Sequence, residues 1–290
     1  MDKNEAKEII KVIYKFGELF WEEGEDNLKN AWGKYCSDWV EALAYFVRSY
    51  AFARNIRLEK WCRGASKVIK EVGKSNKKPP DNFEIRVWDK FKNEIKNSNP
   101  NPSRNPLNPQ NGKSLTGFIT SREFSKWNYN IINWAKDSLA DGKIKEVHKK
   151  LTEIRGIGDK IASLFLRDIV DVGGINEKRF GDNRKYLQPI DRWIERWLEE
   201  IAPNWGIDPP PKKYWDYAKT IIKIADEVEV EKATYLNAGI WMFGALFSEG
   251  EEDFKDAISS KEKLKQHLKK KKDLYRNRIN FLIHEIKIDQ

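Results

Sequence analysis

Cysteine and histidine are scarce in this chain, and each scarcity excludes something. Two cysteines, Cys36 and Cys62, cannot build a disulfide framework. The three histidines, His148, His267 and His284, sit in no C-x-x-C or H-E-x-x-H setting, so no metal site is expected. The longest apolar run, Ala238–Phe247, is too short to span a bilayer, so no membrane partner is expected. The start, Met1-Asp-Lys-Asn-Glu5, is too charged for a secretory signal, and a reducing cytoplasm follows as the expected compartment. No sustained apolar–polar alternation bounded by hairpin turns occurs, so the fold class is expected to be all-α. Acidic residues are also in deficit. Lys and Arg total 54 against 45 Asp and Glu, a net charge of +9, which favours a polyanionic partner.

What is present is helical periodicity. Ile9, Ile10, Ile13, Phe16 and Phe20 mark one amphipathic helix, and Trp39, Leu43, Phe46, Val47 and Tyr50 mark a second. The pattern continues over 58–72, 83–95, 121–139, 143–154, 159–170, 191–201, 214–228, 234–247 and 261–288. Four prolines between residues 96 and 114 forbid a helix there, giving a mobile loop or a linker between lobes. The stretch 173–187 is polar and glycine-bearing and reads as an inserted loop. The 12 tryptophans supply core volume and aromatic faces.

The chemistry-bearing stretch is Leu151-Thr-Glu-Ile-Arg-Gly-Ile-Gly-Asp-Lys160, followed by Gln188-Pro-Ile-Asp191. Gly156 and Gly158 flank Ile157, so the backbone can turn sharply and lie bare against a ligand. A helix opening at Asp159 presents unpartnered N–H groups and the positive end of its dipole, an anion site for which a DNA phosphate is a natural occupant. Lys160 lies in that first turn, where the dipole and partial burial would disfavour an ammonium and expose a neutral amine. Asp191 follows 31 residues later, at the expected start of a helix. It is either a simple N-cap or a carboxylate that also stabilises positive charge on a sugar.

Ile154-Arg-Gly-Ile-Gly-Asp-Lys160 with Pro189-Ile-Asp191 resembles the helix-hairpin-helix DNA glycosylases that carry a Gly/Pro-Asp loop. In that superfamily L-P-G-V-G-x-K precedes P-V-D; here Arg155 stands in the proline position. The long Lys-to-Asp separation is most similar to the archaeal 8-oxoguanine glycosylase branch. The resemblance covers about residues 142–197, with a fainter echo over Leu236–Gly244. It implies a two-lobed glycosylase fold that binds double-stranded DNA with one modified base flipped out. Lys160 and Asp191 would be catalytic, and Arg155, Gly156, Ile157 and Gly158 would hold the DNA backbone. Trp241, Asn237 and Trp61 would line the base pocket, with Asn237 where the archaeal branch has an aspartate.

The implied activity is a DNA N-glycosylase, with AP-lyase activity if Lys160 forms a Schiff base. The excised base would be an oxidised purine such as 8-oxoguanine, an alkylated base, or a modified base of phage DNA in antiviral defence. The alternative is a non-catalytic helix-hairpin-helix DNA-binding module. No metal or organic cofactor is expected, apart from a structural monovalent cation at the hairpin carbonyls. A monomer near a prokaryotic nucleoid is expected. The expected organisation is a two-lobed core over 1–260, with the proline-rich loop over 96–114 and the hairpin lobe over about 115–191. A basic C-terminal helix over 261–290 would follow.

Overall fold

A computed structural model describes residues 1–24, 26–52, 59–74, 77–95, 105–207 and 213–271. Among them all regular structure is helical, so the chain is all-α. The α-helices run, in order, α1 Lys3–Gly24, α2 Asp26–Asn30, α3 Trp32–Ser37, α4 Trp39–Phe46, α5 Glu59–Gly73, α6 Phe83–Glu94, α7 Leu115–Thr120 and α8 Ile131–Ala140. They continue with α9 Ile144–Glu153, α10 Asp159–Val172, α11 Arg192–Ile201, α12 Tyr214–Val228, α13 Ala233–Met242, α14 Glu251–Ile258 and α15 Lys261–Lys271.

The chain divides into two compact units. A central unit spans Asn27–Leu187, and a terminal unit joins Met1–Asp26 to the chain from Gln188 on. The boundaries therefore fall at 26 and 187, not in the proline-rich segment. Residues 96–104 of that segment, and Pro209-Pro-Pro211, lie outside the described residues. Its remainder is built into the central unit. Leu107 is buried, and the Leu115 N–H donates to the Pro106 carbonyl at 2.7 Å.

The central unit packs α4, α5, α8, α9 and α10 around Leu43, Phe46, Val68, Ile69, Trp134 and Phe165. Its helix starts are specified locally. Asp38 caps α4 by accepting from the N–H groups of Val40 and Glu41 at 2.8 and 3.3 Å. Asn130 caps α8 through Ile132 and Asn133, at 2.9 and 3.1 Å. That cap corrects the continuous helix expected over 121–139. A 3-10 stretch, Arg122–Trp127, ends on left-handed Asn128 and Tyr129 before α8 begins. The loop expected over 173–187 is corrected too, because Glu177–Leu187 winds in 3-10 turns that bury Phe180 and Leu187.

The terminal unit is organised by α1 against α13, helices from opposite ends of the sequence. The approach is close enough that a Cβ on Gly239 would lie 2.0 Å from the Ile13 carbonyl oxygen. A Cβ on Gly17 would lie 1.8 Å from the Tyr235 carbonyl oxygen. Glycine is therefore required on both helices, and Ile10, Ile13, Phe16, Leu236 and Ile240 close over the contact. The apolar run expected as one helix over 234–247 changes winding after Met242, where Phe243–Phe247 forms a π-helical turn. The described part of the basic C-terminal segment is docked on this unit. Leu264 and Leu268 of α15 are buried, and the His267 ring lies 2.7 Å from the Phe247 carbonyl oxygen. Residues 272–290 lie outside the described residues.

Candidate nucleic-acid interface

The hairpin forms where the sequence places it. Leu151, Ile154, Ile161 and Ala162 are all buried and fix the two helices to the central core. Between α9 and α10 the Ile157 N–H donates to the Ile154 carbonyl at 3.0 Å, closing a turn. Gly156 occupies the third position of that turn with φ +78°, the positive φ of a type II turn. Gly158 is extended and caps α10 with no side-chain bond. Among the described residues no hydrogen bond engages the N–H of Gly156 or Gly158. Both residues are partly exposed, so their donors can reach an anion.

Two hairpin residues expected at the DNA backbone are placed differently. Ile157 is buried, and its N–H is spent on the turn. Arg155 donates its N–H to the Lys113 carbonyl at 2.8 Å, and its guanidinium donates to the Gln110 carbonyl. An arginine where the resembling family has proline thus buttresses the hairpin against residues 110–113. Lys160 is exposed, which corrects the partial burial expected for it.

Beneath the hairpin lies a cluster that sequence reasoning passed over. His148 of α9 is buried, with Nε2 3.8 Å from Oδ1 of Asp159 and its ring 4.9 Å from the Tyr186 ring. Burial pushes the His148 imidazole below its ordinary pKa, and the Asp159 carboxylate pulls partly the other way. Burial and the same carboxylate push the Tyr186 phenol up. Asp159 thus sets the field at the first turn of α10, beside Lys160.

Asp191 belongs to the terminal unit and is half-buried. Its Oδ1 caps α11 by accepting from Trp193 at 3.1 Å and Ile194 at 3.3 Å. The loop before it is pinned at three points. Tyr214 donates its hydroxyl to the Gln188 carbonyl and accepts the Ile190 N–H, both at 3.2 Å. Asn237 of α13 donates Nδ2 to the Pro189 carbonyl at 3.2 Å. Asn237 is buried, so in this structure its amide holds the Pro-x-Asp loop. Trp241, one turn further along α13, is exposed and lies two residues before the π-helical turn, a distortion frequent at functional sites. Trp61 lies on α5 in the central unit, half-buried, with its ring perpendicular to Phe52 at 6.4 Å.

Gln188, which opens the Pro-x-Asp loop, carries no motif signal of its own. It is fully buried, yet neither side-chain amide atom has a hydrogen-bond partner among the described residues. Such a group costs about 1–3 kcal/mol, which calls for an explanation three residues from Asp191. No grouping of His, Cys, Asp and Glu among the described residues could hold a metal ion. No helix among them is long and apolar enough to cross a membrane.

No family model matches the chain, and no solved structure matches it. A stretch of 105 residues is 36% identical to an uncharacterized protein of Methanocaldococcus jannaschii. That stretch is 36% of this chain and 23% of the relative, so the likeness spans less than a quarter of that protein.

Proposed function

We propose that this protein is a DNA N-glycosylase of the helix-hairpin-helix type. The observation that carries the reading is the hairpin: a glycine turn at φ +78° whose Gly156 and Gly158 N–H groups stand open just before a helix with an exposed lysine in its first turn. The N–H groups of Gly156 and Gly158 would grip a phosphate of the strand without reading sequence. The target nucleotide would leave the stack, because its glycosidic bond is closed to side chains in a duplex. The Lys160 amine would form a bond to C1′ as the base departs with the glycosidic electron pair. The Asp191 carboxylate would stabilise the oxocarbenium-like charge and accept the proton lost by the attacking nitrogen. Opening of the sugar ring would leave an imine to Lys160. Loss of the C2′ proton and of the 3′ phosphate would then nick the strand. The base remains open between an oxidised purine such as 8-oxoguanine, an alkylated base and a modified base of phage DNA.

A structural monovalent cation would be held by hairpin carbonyls. Those of Ile154 and Gly158 each accept one N–H and keep a second lone pair. The ion would supply charge at the phosphate and take no part in bond making.

The exposure of Lys160 equally suits a lysine that only touches phosphate, as in a non-catalytic DNA-binding module. Borohydride trapping separates the two. Incubation with a panel of modified-base duplexes is expected to yield a reduced protein–DNA adduct and, by mass spectrometry, a released base. Lys160→Gln is expected to abolish adduct and nick together. Base release without an adduct would make the enzyme monofunctional. DNA binding with neither base release nor adduct would leave the binding module.

A further inference from the structure

One concavity in the central unit lies apart from the hairpin residues. It is an open trough of about 1310 Å³ bordered by α3, α4, α5 and the start of α8. One wall is a row of cations. Lys60, Arg63, Lys67 and Lys70 recur at intervals of three and four residues along α5, and Lys74 and Lys77 follow the helix at the same spacing in sequence. All six are exposed, while Ala65, Val68, Ile69 and Val72 on the other face of α5 are buried in the core. Within α5, at 1.5 Å rise per residue, the cations from Lys60 to Lys70 recur about every 5 Å. Six cations line the trough, five from this row together with Arg48, against three carboxylates: Asp38, Glu41 and Glu71.

Several of these charges are already engaged within the protein, and the net count along the trough remains positive. Asp38 is committed to capping α4. Glu71 is held by Lys90, which does not line the trough, at 3.2 Å. Glu41 neutralises Lys70 at 2.8 Å, and Glu94 of α6 holds Lys67 at 2.9 Å. The floor is rigid and polar. Asn130 and Asn133 donate to the Tyr35 and Cys36 carbonyls at 2.7 and 2.8 Å, tying α8 to α3. The apolar lining residues Trp39 and Val40 are buried, so no aromatic face is offered for stacking and no apolar group for insertion into a bilayer.

We propose that this trough is a second nucleic-acid backbone site, separate from the hairpin, that takes successive phosphodiester groups of a strand and reads no bases. A linear row of cations over a concave polar floor suits a polyanion of regular charge spacing. A membrane surface would want a flat face with exposed apolar groups. The inference rests on the proposed function only for its choice of DNA as the probe.

The experiment measures affinity for an undamaged duplex over a range of salt concentrations. Each phosphate contact contributes about 0.9 to the slope of log affinity against log salt on duplex DNA. The triple variant Arg63→Gln, Lys74→Gln, Lys77→Gln is expected to bind more weakly and to lower the slope by about 2.7. The charge-preserving triple Arg63→Lys, Lys74→Arg, Lys77→Arg is expected to keep the wild-type slope, which excludes a folding defect at these sites. A wild-type slope in the Gln triple would overturn the proposal. So would loss of binding to phosphatidylserine vesicles with the DNA slope unchanged, which would assign the trough to a membrane. Gly156→Ala tests the hairpin apart. A lowered slope in the Gln triple beside unaltered binding in Gly156→Ala would sink the hairpin reading and leave the trough standing.

Discussion

Replacing Gly239 by alanine sets two effects of opposite sign against each other. Gly239 lies inside α13, and helix propensity alone favours alanine by about 1 kcal/mol. The added methyl would sit 2.0 Å from the Ile13 carbonyl oxygen, with the Gly17 nitrogen at 2.9 Å. An ordinary carbon–oxygen contact is about 3.3 Å, so α1 and α13 would have to part by roughly 1.3 Å. Both obstacles are backbone atoms, and no side-chain rotation relieves them. A gap of that size forfeits about half of the dispersion attraction across the interface. Overpacking of a core typically costs about 1–3 kcal/mol, and a backbone collision belongs at or above the upper end. The expected net loss is at least about 2 kcal/mol after the propensity gain, lowering the melting temperature of the terminal unit by at least about 4–8 °C. Circular dichroism at 222 nm would follow the transition. Gly33→Ala is the control. It lies in α3, is exposed and has nothing within 4 Å of its added methyl, so a slight gain in stability is expected. If Gly239→Ala melted at or above wild type, the close approach of α1 to α13 would be wrong.

Three further outcomes follow from the site. Asp191→Asn keeps an oxygen to cap α11 and should melt near wild type, whereas Asp191→Ala should lose about 1 kcal/mol; base release should fall at least about a hundredfold in both, and full release by either would remove Asp191 from the chemistry. Gly156→Ala places a Cβ at φ +78° at a cost of about 1–2 kcal/mol and should weaken binding to duplexes of every sequence alike, as gel-shift titrations would show. His148 has a folded pKa below its ordinary 6.5, so the unfolded chain binds the extra proton first. Its contribution is complete above pH 6.5 and is lost as pH falls from there toward the lowered value, so melting curves of His148→Phe should lose that part of the acid sensitivity.

Locally written features could be read in the sequence. The hairpin helices expected over 143–154 and 159–170 are found at Ile144–Glu153 and Asp159–Val172, because apolar period and glycine turn agree there. Asp191 was expected at a helix start and caps α11. Features that depend on distant partners were not legible. Nothing near Arg155 announces that its guanidinium answers a carbonyl at residue 110. Asn237 could be aligned with a base-reading position, but the carbonyl it holds lies 48 residues away. The break at Asn128 and Tyr129 was hidden because the apolar spacing on either side continues in phase. Two distant features do leave a mark in the sequence. Gly17 and Gly239 stand alone inside helical patterns, which usually has a packing reason. The three-and-four spacing of cations from Lys60 to Lys77 is visible in the sequence itself.

The pairing of α1 with α13 also sets an order of events on the ribosome. Helix α1 emerges ahead of the central unit, yet the helix that covers Ile10, Ile13 and Phe16 begins about 210 residues after α1 ends. At about 5–20 residues per second, the nascent apolar face stays uncovered for roughly 10–40 s. The central unit, contiguous from Asn27 to Leu187, needs no such delay and can be complete while α1 still lacks its partner. Synthesis therefore produces an intermediate with one finished unit and one unburied amphipathic helix. A holdase chaperone would recognise that species, and newly made chains would aggregate through it.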